Sequence, residues 1–220
     1  MKNIDLTRTI TPDMQVYPGT EQPRLKRANT IEKDGFAETL LEMYSHTGTH
    51  TDSPAHIFEG GRSLDKFDLS ELCGRAVMLD VRDLPEGGVI EVERLLGIKD
   101  KLEVSRFLVL RTGFEERWGE DSYFDGFPVL SQDAAELLAK LGIGGVGVDA
   151  ISVDPVEAPL EIHKILLGAG MVIVENLCNL DKVATATKGE TFELFVMPLK
   201  FEGADGAPTR AMGKVEMRNA

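Results

Sequence analysis

Short apolar runs, each closed by polar residues or by glycine, recur through the middle of the chain. They are "RAVMLDV" (75–81), "RFLVLRTG" (106–113) and "MVIVEN" (171–176). Runs of this length and punctuation are typical of buried β-strands. The segment 190–201, "ETFELFVMPLKF", alternates in part between apolar and polar positions and predicts a further strand. We also predict a strand in 37–45, and a strand and a turn within 146–155.

Two segments have the spacing of helices. In "LSQDAAELLAKLGIGG" (130–145), Ser131 is a natural N-cap and Gly142 is placed to end the helix. The apolar stripe between them consists of Ala134, Leu137, Leu138 and Leu141. A second, shorter helix is predicted in "PLEIHKILLGAG" (159–170), which also ends at glycine.

The order of these elements predicts the fold class. Helices alternate with strands in the middle of the chain, whereas both ends are rich in strands, which is typical of an α/β protein with a mixed sheet. A length of 220 residues without a repeat or linker indicates one domain that covers residues 1–220. The segment "GIGGVG" matches a dinucleotide-binding pattern, but that pattern needs a strand before it and a helix after it. Here the predicted helix comes first, so we interpret these glycines as a helix end and a turn.

Charge and hydropathy exclude several classes of partner. The formal net charge is -13 and no cluster of Lys and Arg forms a phosphate-binding face, so we expect no nucleic-acid partner. The amino-terminal "MKNIDLTRTITPDM" lacks the apolar core of a signal peptide, and the longest apolar runs are too short to cross a bilayer. We expect no membrane association. Cys73 and Cys178 are too far apart in sequence to indicate a disulfide framework or a thiolate zinc site. We interpret them as small buried hydrophobic residues of a protein in the reducing cytoplasm.

The segment "SHTGTHTDSPAH" (45–56) holds three of the four histidines of the chain. His46, His50, Asp52 and His56 all lie at even positions, and in an extended chain such positions share one face. On a helix Asp52 would point away from the histidines, and the Thr, Gly and Pro residues between them are poor helix formers. We therefore predict an extended run that directs two imidazoles and a carboxylate at one divalent ion, Zn²⁺, Mn²⁺ or Fe²⁺. The alternative is a polar surface loop, which this concentration of histidines disfavours.

The fourth histidine, His163, lies in the short predicted helix, and Glu175 closes an apolar strand. Burying a glutamate costs free energy unless its charge is compensated. From the residues alone, a structural histidine and a glutamate that emerges into water remain alternatives. Spacing does not show whether either residue lies near His46.

The histidine segment resembles the H-x-G-T-H-x-D-x-P-x-H signature of the metal-dependent cyclase family, which includes bacterial kynurenine formamidases (arylformamidases) and isatin hydrolases. The resemblance extends over nearly the whole chain. Its further segments are "DLTRTITPDMQVYPG", "RTGFEERWG", "GVGVDAISVDP", "HKILLGAGMVIVENLCNLDKV" and "PLKFEGADGAPTRA".

The resemblance implies a site. It implies that His46, His50 and Asp52 bind one divalent ion and that Asp52, His163 and Glu175 bind a second, with Asp52 bridging the two. It also implies that His56 donates and accepts a proton in catalysis. One or two ions are expected, with zinc favoured and manganese as the alternative. The implied fold is the swivelling β/β/α domain of the family, in homodimers or larger homo-oligomers.

The resemblance also implies a reaction. We expect a metal-dependent amidohydrolase acting on a small-molecule substrate with a C–N bond other than a peptide bond, such as the arylformamide N-formylkynurenine of tryptophan catabolism. A lactam- or lactone-opening hydrolase, a cyclase or a lyase could use the same site. A non-catalytic metal-binding protein is a further alternative, although metal storage alone would not need His56.

Tyr17, in "VYPG", stands where the formamidases have a tryptophan that contacts the substrate. A tyrosine ring can stack on an aromatic amide, so we predict that Tyr17 binds the substrate, with plain packing as the alternative. Trp118 and Phe124 could line the pocket or an oligomer contact, and core packing is the alternative for both.

Overall fold

The apolar runs of the sequence are strands of one sheet in the computed structural model, which describes residues 1–216. The strands are β1 (Lys2–Asp5), β2 (Arg24–Asn29), β3 (Glu38–Glu42), β4 (His50–Asp52), β5 (Cys73–Asp80), β6 (Val89–Ile90), β7 (Phe107–Arg111), β8 (Val129–Leu130), β9 (Gly145–Val148), β10 (Val172–Glu175), β11 (Phe192–Pro198) and β12 (Gly206–Val215). The helices are α1 (Ile31–Asp34), α2 (Val92–Leu96), α3 (Lys99–Leu102), α4 (Gln132–Leu141), α5 (Glu161–Gly168) and α6 (Leu180–Thr187). Within residues 1–216, no helix has both the length and the apolar character needed to cross a membrane.

Eight of the strands in the described part of the chain form one sheet, in the order β1-β12-β11-β5-β7-β9-β10-β4. The strands β5, β7, β9 and β10 run parallel, whereas β1, β4, β11 and β12 pair antiparallel with their neighbours. Because β4 pairs with both β10 and β12, the sheet closes on itself at β4. The mixed sheet and the helices that cover it confirm the predicted α/β fold class.

Alternate residues of the central strands face two separate apolar clusters. Val77 and Leu108 belong to the cluster that contains the buried sides of α4 and α5. Ala76 and Phe107 belong to the cluster that contains residues of β11, β12 and α6. Since both faces of the parallel strands are buried, their sequences are continuous apolar runs rather than alternating ones.

The predicted ends of α4 are confirmed. Ser131 Oγ accepts a hydrogen bond from the backbone of Ala134 at 3.2 Å, and Gly142 adopts a left-handed φ of 72° directly after the helix. The strand β9 begins at Gly145, so "GIGGVG" ends a helix and starts a strand, as the sequence indicated. A Cβ atom at Gly145 would lie 2.8 Å from the side chain of Val172, so glycine permits the close approach of β9 and β10.

The predicted strand in 37–45 exists as β3, but it lies outside the main sheet. It pairs with β2 in a separate antiparallel hairpin, and α1 forms part of the connection between the two strands. Every residue of β3 is exposed. This hairpin leads directly into the histidine segment.

The prediction that both cysteines are buried is wrong. Cys73 and Cys178 are free thiols and both are partly exposed. Cys73 is the first residue of β5, and Cys178 follows β10, so each lies where a strand leaves the core. Partial burial nevertheless raises the pKa of the Cys178 thiol to about 11.

The two aromatic residues of uncertain role pack against the core. Trp118 and Phe124 are partly buried against the cluster beneath α4 and α5. The ring of Trp118 meets that of Tyr123 edge-on with centroids 5.1 Å apart, and the guanidinium of Arg8 lies 4.1 Å above the Trp118 ring. The structure thus supports core packing for these residues.

Candidate metal centre

The short strand β4 carries two of the predicted ligands into the interior of the sheet. His50 pairs with Glu175 of β10 on one side and with Pro208 of β12 on the other, and Asp52 pairs with Gly206. His50 and Asp52 are two residues apart, so their side chains share one face of the strand. Both side chains are buried. The register of β4 and β10 places Glu175 directly beside them.

The segment 45–56 is not extended throughout, so that part of the prediction is wrong. Only His50–Asp52 is a strand. Gly48 adopts a left-handed φ of 67° and bends the chain before the strand, while Pro54 begins a turn of 3₁₀ helix that ends at His56. These two bends fold the ends of the segment together, so the rings of His46 and His56 lie with centroids 4.0 Å apart.

The fourth histidine approaches from α5. His163 Nε2 lies 3.4 Å from Glu175 Oε1 and 3.7 Å from Asp52 Oδ2. On the other side, His50 Nε2 lies 3.3 Å from both Asp52 Oδ1 and Glu175 Oε2. The structure thus brings His163 and Glu175 to the same point as the residues of β4.

Two groups of ligand atoms result, each with its members within 4.8 Å of one another. One group consists of His46, His50 and Asp52, and the other of Asp52, His163 and Glu175. These are the two sets implied by the family resemblance, and Asp52 belongs to both. A third group, not expected from the sequence, consists of His46, His56 and Asp205.

Each of these inward-facing imidazoles is fixed through its other ring nitrogen. His50 Nδ1 donates to Gly48 O at 2.8 Å, and His163 Nδ1 donates to Asp154 Oδ2 at 2.7 Å. His46 Nε2 donates to Asp205 Oδ2 at 3.1 Å, which leaves its Nδ1 2.7 Å from Asp52 Oδ1. A hydrogen bond at one ring nitrogen determines which nitrogen can face a metal.

The electrostatics of the metal-free site are dominated by ion pairs between histidines and carboxylates. Burial opposes ionisation of Asp52, but the charge of His50 and contacts with the other histidines outweigh it and hold the Asp52 pKa well below its usual range. Burial would lower the pKa of His46, yet its hydrogen bond to Asp52 raises that pKa to about 9. The pKa of His163 rises to about 12, because the hydrogen bond to Asp154 and the nearby carboxylates of Asp52 and Glu175 outweigh burial.

The residues fit a divalent cation. Asp52 Oδ2 is buried and has no hydrogen-bond partner among residues 1–216. A buried carboxylate oxygen without a partner is unfavourable unless a cation compensates it. Imidazole nitrogens and carboxylate oxygens are the ligands that Zn²⁺, Mn²⁺ and Fe²⁺ prefer. The centre is therefore a candidate divalent metal site.

The remaining two predicted site residues lie at its edge. His56 is partly buried; burial, together with the positive charges of His46 and His163, lowers its pKa. Tyr17 is 38% exposed, and its hydroxyl donates to Val156 O at 2.6 Å. Burial and the negative charge of Glu175 raise the pKa of Tyr17, which agrees with a position near the centre.

Comparison with known proteins decides the family. The Cyclase family model matches residues 4–155. The chain belongs to the cyclase family. Among its relatives is the kynurenine formamidase of Salinibacter ruber, which is 31% identical over 218 residues and covers 96% of this chain and 97% of the relative. The kynurenine formamidase of Bacillus thuringiensis (strain Al Hakam) is 33% identical over 211 residues, with 95% of both chains covered.

Two solved structures share the fold of this chain. Isatin hydrolase A from Labrenzia aggregata superimposes with a TM-score of 0.83 at 23% identity, over 97% of this chain and 93% of that chain. A protein described as a potential metal-dependent hydrolase with cyclase activity gives a TM-score of 0.78 at 29% identity, over 100% of this chain and 99% of that chain. The first likeness shows the fold alone, and both confirm the predicted fold of this cyclase-family chain.

Sequence reasoning missed the residues that hold the ligands in place. Asp154 and Asp205 lie inside segments that resemble the family, but nothing in their spacing assigned them a role. Asn176 adopts a left-handed φ of 59° directly after Glu175, and its Nδ2 donates to Gly48 O at 2.9 Å. Asn176 Oδ1 accepts a hydrogen bond from Tyr123 at 2.8 Å. The polar end of "MVIVEN" was the one available signal for this residue.

Proposed function

We propose that this cyclase-family chain is a single-domain, metal-dependent hydrolase that cleaves a small amide at a C–N bond other than a peptide bond. An arylformamide such as N-formylkynurenine, an intermediate of tryptophan catabolism, is the proposed substrate. The observation that carries the proposal is the convergence of both predicted ligand sets on Asp52. The kynurenine formamidases that match over nearly their whole length support the substrate class.

We assign His46, His50 and Asp52 to one ion, and Asp52, His163 and Glu175 to a second where two are bound. Zinc is the proposed metal and manganese the alternative. A divalent ion held there would act as a Lewis acid and lower the pKa of water to about 7. The buried carboxylates of Asp52 and Glu175 would balance the positive charge of the cations.

His56 is the proposed general base and acid. Its lowered pKa keeps the ring neutral at pH 7, so one imidazole nitrogen can accept a proton from water. The same nitrogen then returns the proton to the leaving amine nitrogen. His56 is partly exposed, which is consistent with access to both water and substrate. His46, on which the His56 ring stacks, limits the positions that the ring can take.

Tyr17 is the proposed contact for the aromatic part of the substrate. Its ring is anchored through the hydrogen bond to Val156 O, and the residue as a whole remains 38% exposed. An exposed ring with a fixed hydroxyl offers a flat surface for stacking.

We propose a homodimer or larger homo-oligomer, as the family resemblance implied. The hairpin of β2 and β3 supports this, since it exposes apolar side chains that belong to neither of the two apolar clusters described above. They are Ile31, Phe36, Leu40 and Leu41, each more than half exposed. Clustered exposed apolar residues are typical of protein contacts. Light scattering should give a smaller mass for Leu40→Asp than for the parent. The control Val104→Asp lies elsewhere, at a position 57% exposed, and should leave the mass unchanged.

The proposed location of the protein is the cytoplasm. The free cysteines agree with this location.

The test of the proposed function combines metal analysis with a substrate screen. Protein purified with ample zinc or manganese should contain one or two divalent ions per chain and hydrolyse formanilide and N-formylkynurenine. Turnover of isatin alone would instead assign lactam opening to the same site. Protein that binds metal without hydrolysing any of the three would contradict the proposed enzyme activity, and protein without bound metal would contradict the proposal as a whole.

A further inference from the structure

Asp205 lies in the loop between β11 and β12 and is tied to β4 by its backbone. Its carbonyl oxygen accepts two hydrogen bonds from Ser53, one from the backbone nitrogen at 2.9 Å and one from Oγ at 2.8 Å. The next residue, Gly206, pairs with Asp52. The position of the Asp205 backbone is therefore fixed relative to the strand that carries the candidate ligands.

The carboxylate of Asp205 faces the outer edge of the two stacked imidazoles. Asp205 Oδ2 accepts a hydrogen bond from His46 Nε2 at 3.1 Å and lies 4.0 Å from His56 Nδ1. Ser45 Oγ donates to the same oxygen at 3.3 Å. Removal of the Asp205 carboxylate would leave His46 Nε2 without an acceptor among residues 1–216.

The hydrogen bond to Asp205 fits one orientation of His46. With its proton on Nε2, the ring directs Nδ1 toward Asp52, and Nδ1 lies 2.7 Å from Asp52 Oδ1. His50 and His163 are held the other way round, with Nδ1 bonded to an outer acceptor and Nε2 turned inward. His46 is thus expected to present Nδ1 to a metal, while the other two histidines present Nε2.

Two polar contacts and two packing contacts hold the His46 ring: the polar contacts are to Asp52 Oδ1 at 2.7 Å and to Asp205 Oδ2 at 3.1 Å. On one side the ring lies against the backbone of Gly206, where a Cβ atom would come within 2.7 Å of His46 Nε2. On the other side it stacks on His56, with centroids 4.0 Å apart and planes inclined by 39°. The contacts with Gly206 and His56 limit movement of the ring, but they do not select which nitrogen points inward. Asp52 and Asp205 do so together, and Asp205 is the one of the two that holds the outward nitrogen.

We propose that Asp205 is a positioning residue that holds His46 with Nδ1 toward the metal and, through the stacked rings, holds His56 in place. The inference rests on the proposed metal centre. A carboxylate behind a metal-binding histidine fixes the ring and raises its basicity, and loss of such a partner typically weakens metal binding about 10- to 100-fold.

The test compares Asp205→Asn and Asp205→Ala with the parent, all loaded with zinc. The chain has only four histidines, so ¹⁵N labelling of histidine resolves each ring. The parent should show His46 protonated at Nε2 and bound through Nδ1. Competition with a chelator should show zinc affinity lowered about 10- to 100-fold in Asp205→Ala and less in Asp205→Asn, which retains a neutral acceptor. The value of kcat should fall roughly tenfold with KM nearly unchanged, because orientation and not binding is lost.

The matched control is Asp65→Asn. Asp65 Oδ1 accepts a hydrogen bond from Gly203 in the same loop at 3.2 Å but does not contact the histidines. This variant should retain the parent's zinc affinity and His46 spectrum. Binding of zinc through His46 Nε2 in the parent would overturn the inference. The inference would also be overturned if both Asp205 variants had the zinc affinity and the kcat of an active parent. That result would leave the proposed function intact. If Asp205→Ala does not fold, the zinc affinity and kcat of the isosteric Asp205→Asn test the inference instead. A parent that binds no metal contradicts the proposed function itself.

Discussion

His163 Nδ1 lies 2.7 Å from Asp154 Oδ2, and this contact turns Nε2 of the same ring toward Asp52 and Glu175. The two oxygens of Asp154 also accept hydrogen bonds from the backbone nitrogens of Ile162 and His163, both at 2.9 Å. One carboxylate therefore caps the first turn of α5 and orients the imidazole that this turn carries. Asp154 therefore holds both the first turn of α5 and the candidate ligand His163.

Replacement of Asp154 should lower both the affinity for metal and the free energy of unfolding. For Asp154→Asn we expect metal affinity lowered about 10- to 100-fold, since the His163 ring loses its charged acceptor. We also expect a loss of ~1 kcal/mol in stability, because the amide of Asn has one oxygen and can replace only one of the two acceptors that bind the backbone of Ile162 and His163. Chelator competition and thermal melting measure the two effects. The control Glu161→Gln lies in the same turn, where the Glu161 carboxylate pairs with Lys164 at 2.9 Å, and should change neither quantity. Parent-like metal affinity in Asp154→Asn would show that this contact does not orient a ligand.

Removal of the metal should lower the melting temperature as well as the activity. Without a cation, Asp52 and Glu175 are buried carboxylates close to each other, and Asp52 Oδ2 lacks a hydrogen-bond partner within residues 1–216. A ligand present at 100 times its Kd stabilises the folded state by about 2.7 kcal/mol, which corresponds to roughly 5–10 °C for a chain of this size. Calorimetry before and after chelation measures the shift, and added zinc or manganese should reverse it. Chelator already saturated with zinc is the control. An identical melting curve after complete metal removal would disprove the coupling.

Metal binding should release protons. In the metal-free protein the raised pKa values, about 9 for His46 and about 12 for His163, keep both rings protonated at neutral pH. Only a neutral nitrogen binds metal, so the inward nitrogens must lose their protons, while Asp205 and Asp154 retain those on the outward nitrogens. Apparent affinity should therefore increase with pH between 6 and 8. Titration calorimetry at pH 7 in phosphate and in Tris should give different binding enthalpies. The difference should correspond to at least one proton per ion taken up by the buffer, multiplied by the difference between the ionisation enthalpies of the two buffers. Equal enthalpies in the two buffers would refute this prediction.

Replacement of His56 should separate catalysis from metal binding. In His56→Ala we expect kcat to fall about 10²- to 10⁴-fold, because the proton acceptor is lost, with metal content equal to that of the parent. In the parent, the neutral ring is the active form, so the His56 contribution to kcat/KM at saturating metal should be lost as pH falls below a His56 pKa that lies under its usual value of 6.5. Steady-state kinetics against pH, with metal analysis of each variant, measure both effects. A His56→Ala variant as fast as the parent would rule out proton transfer by this residue.

The sequence predicted the candidate ligands better than it predicted how they are held. His46, His50 and Asp52 are close in sequence, so residue type and spacing were enough to associate them. His163 and Glu175 required the family resemblance, since only the pairing of β4 with β10 brings them near. The extended run was wrong because Gly48 and Pro54 bend the chain, although both residues are visible in the sequence.

The supporting carboxylates could not be predicted by spacing. Asp205 is brought to His46 by the pairing of Gly206 with Asp52, two residues separated by more than 150 positions. Asp154 reaches His163 by a loop and the first turn of α5. Such contacts depend on strand order and loop path, which local patterns do not determine.

Replacement of Gly206 tests the packing of His46 without changing the charge of the site. A Cβ atom there would come within 2.7 Å of His46 Nε2 and closer still to the neighbouring ring carbon, so Gly206→Ala must displace the imidazole. We expect loss of measurable binding at the ion held by His46, and an activity loss at least as large as that of Asp205→Ala. The control is Gly213→Ala in the same strand, where a Cβ would lie 3.5 Å from Phe192 and Val183, an ordinary contact distance. This control should bind metal as the parent does. Metal stoichiometry and a crystal structure of each variant measure the outcome, and an undisplaced His46 ring in Gly206→Ala would contradict the described packing.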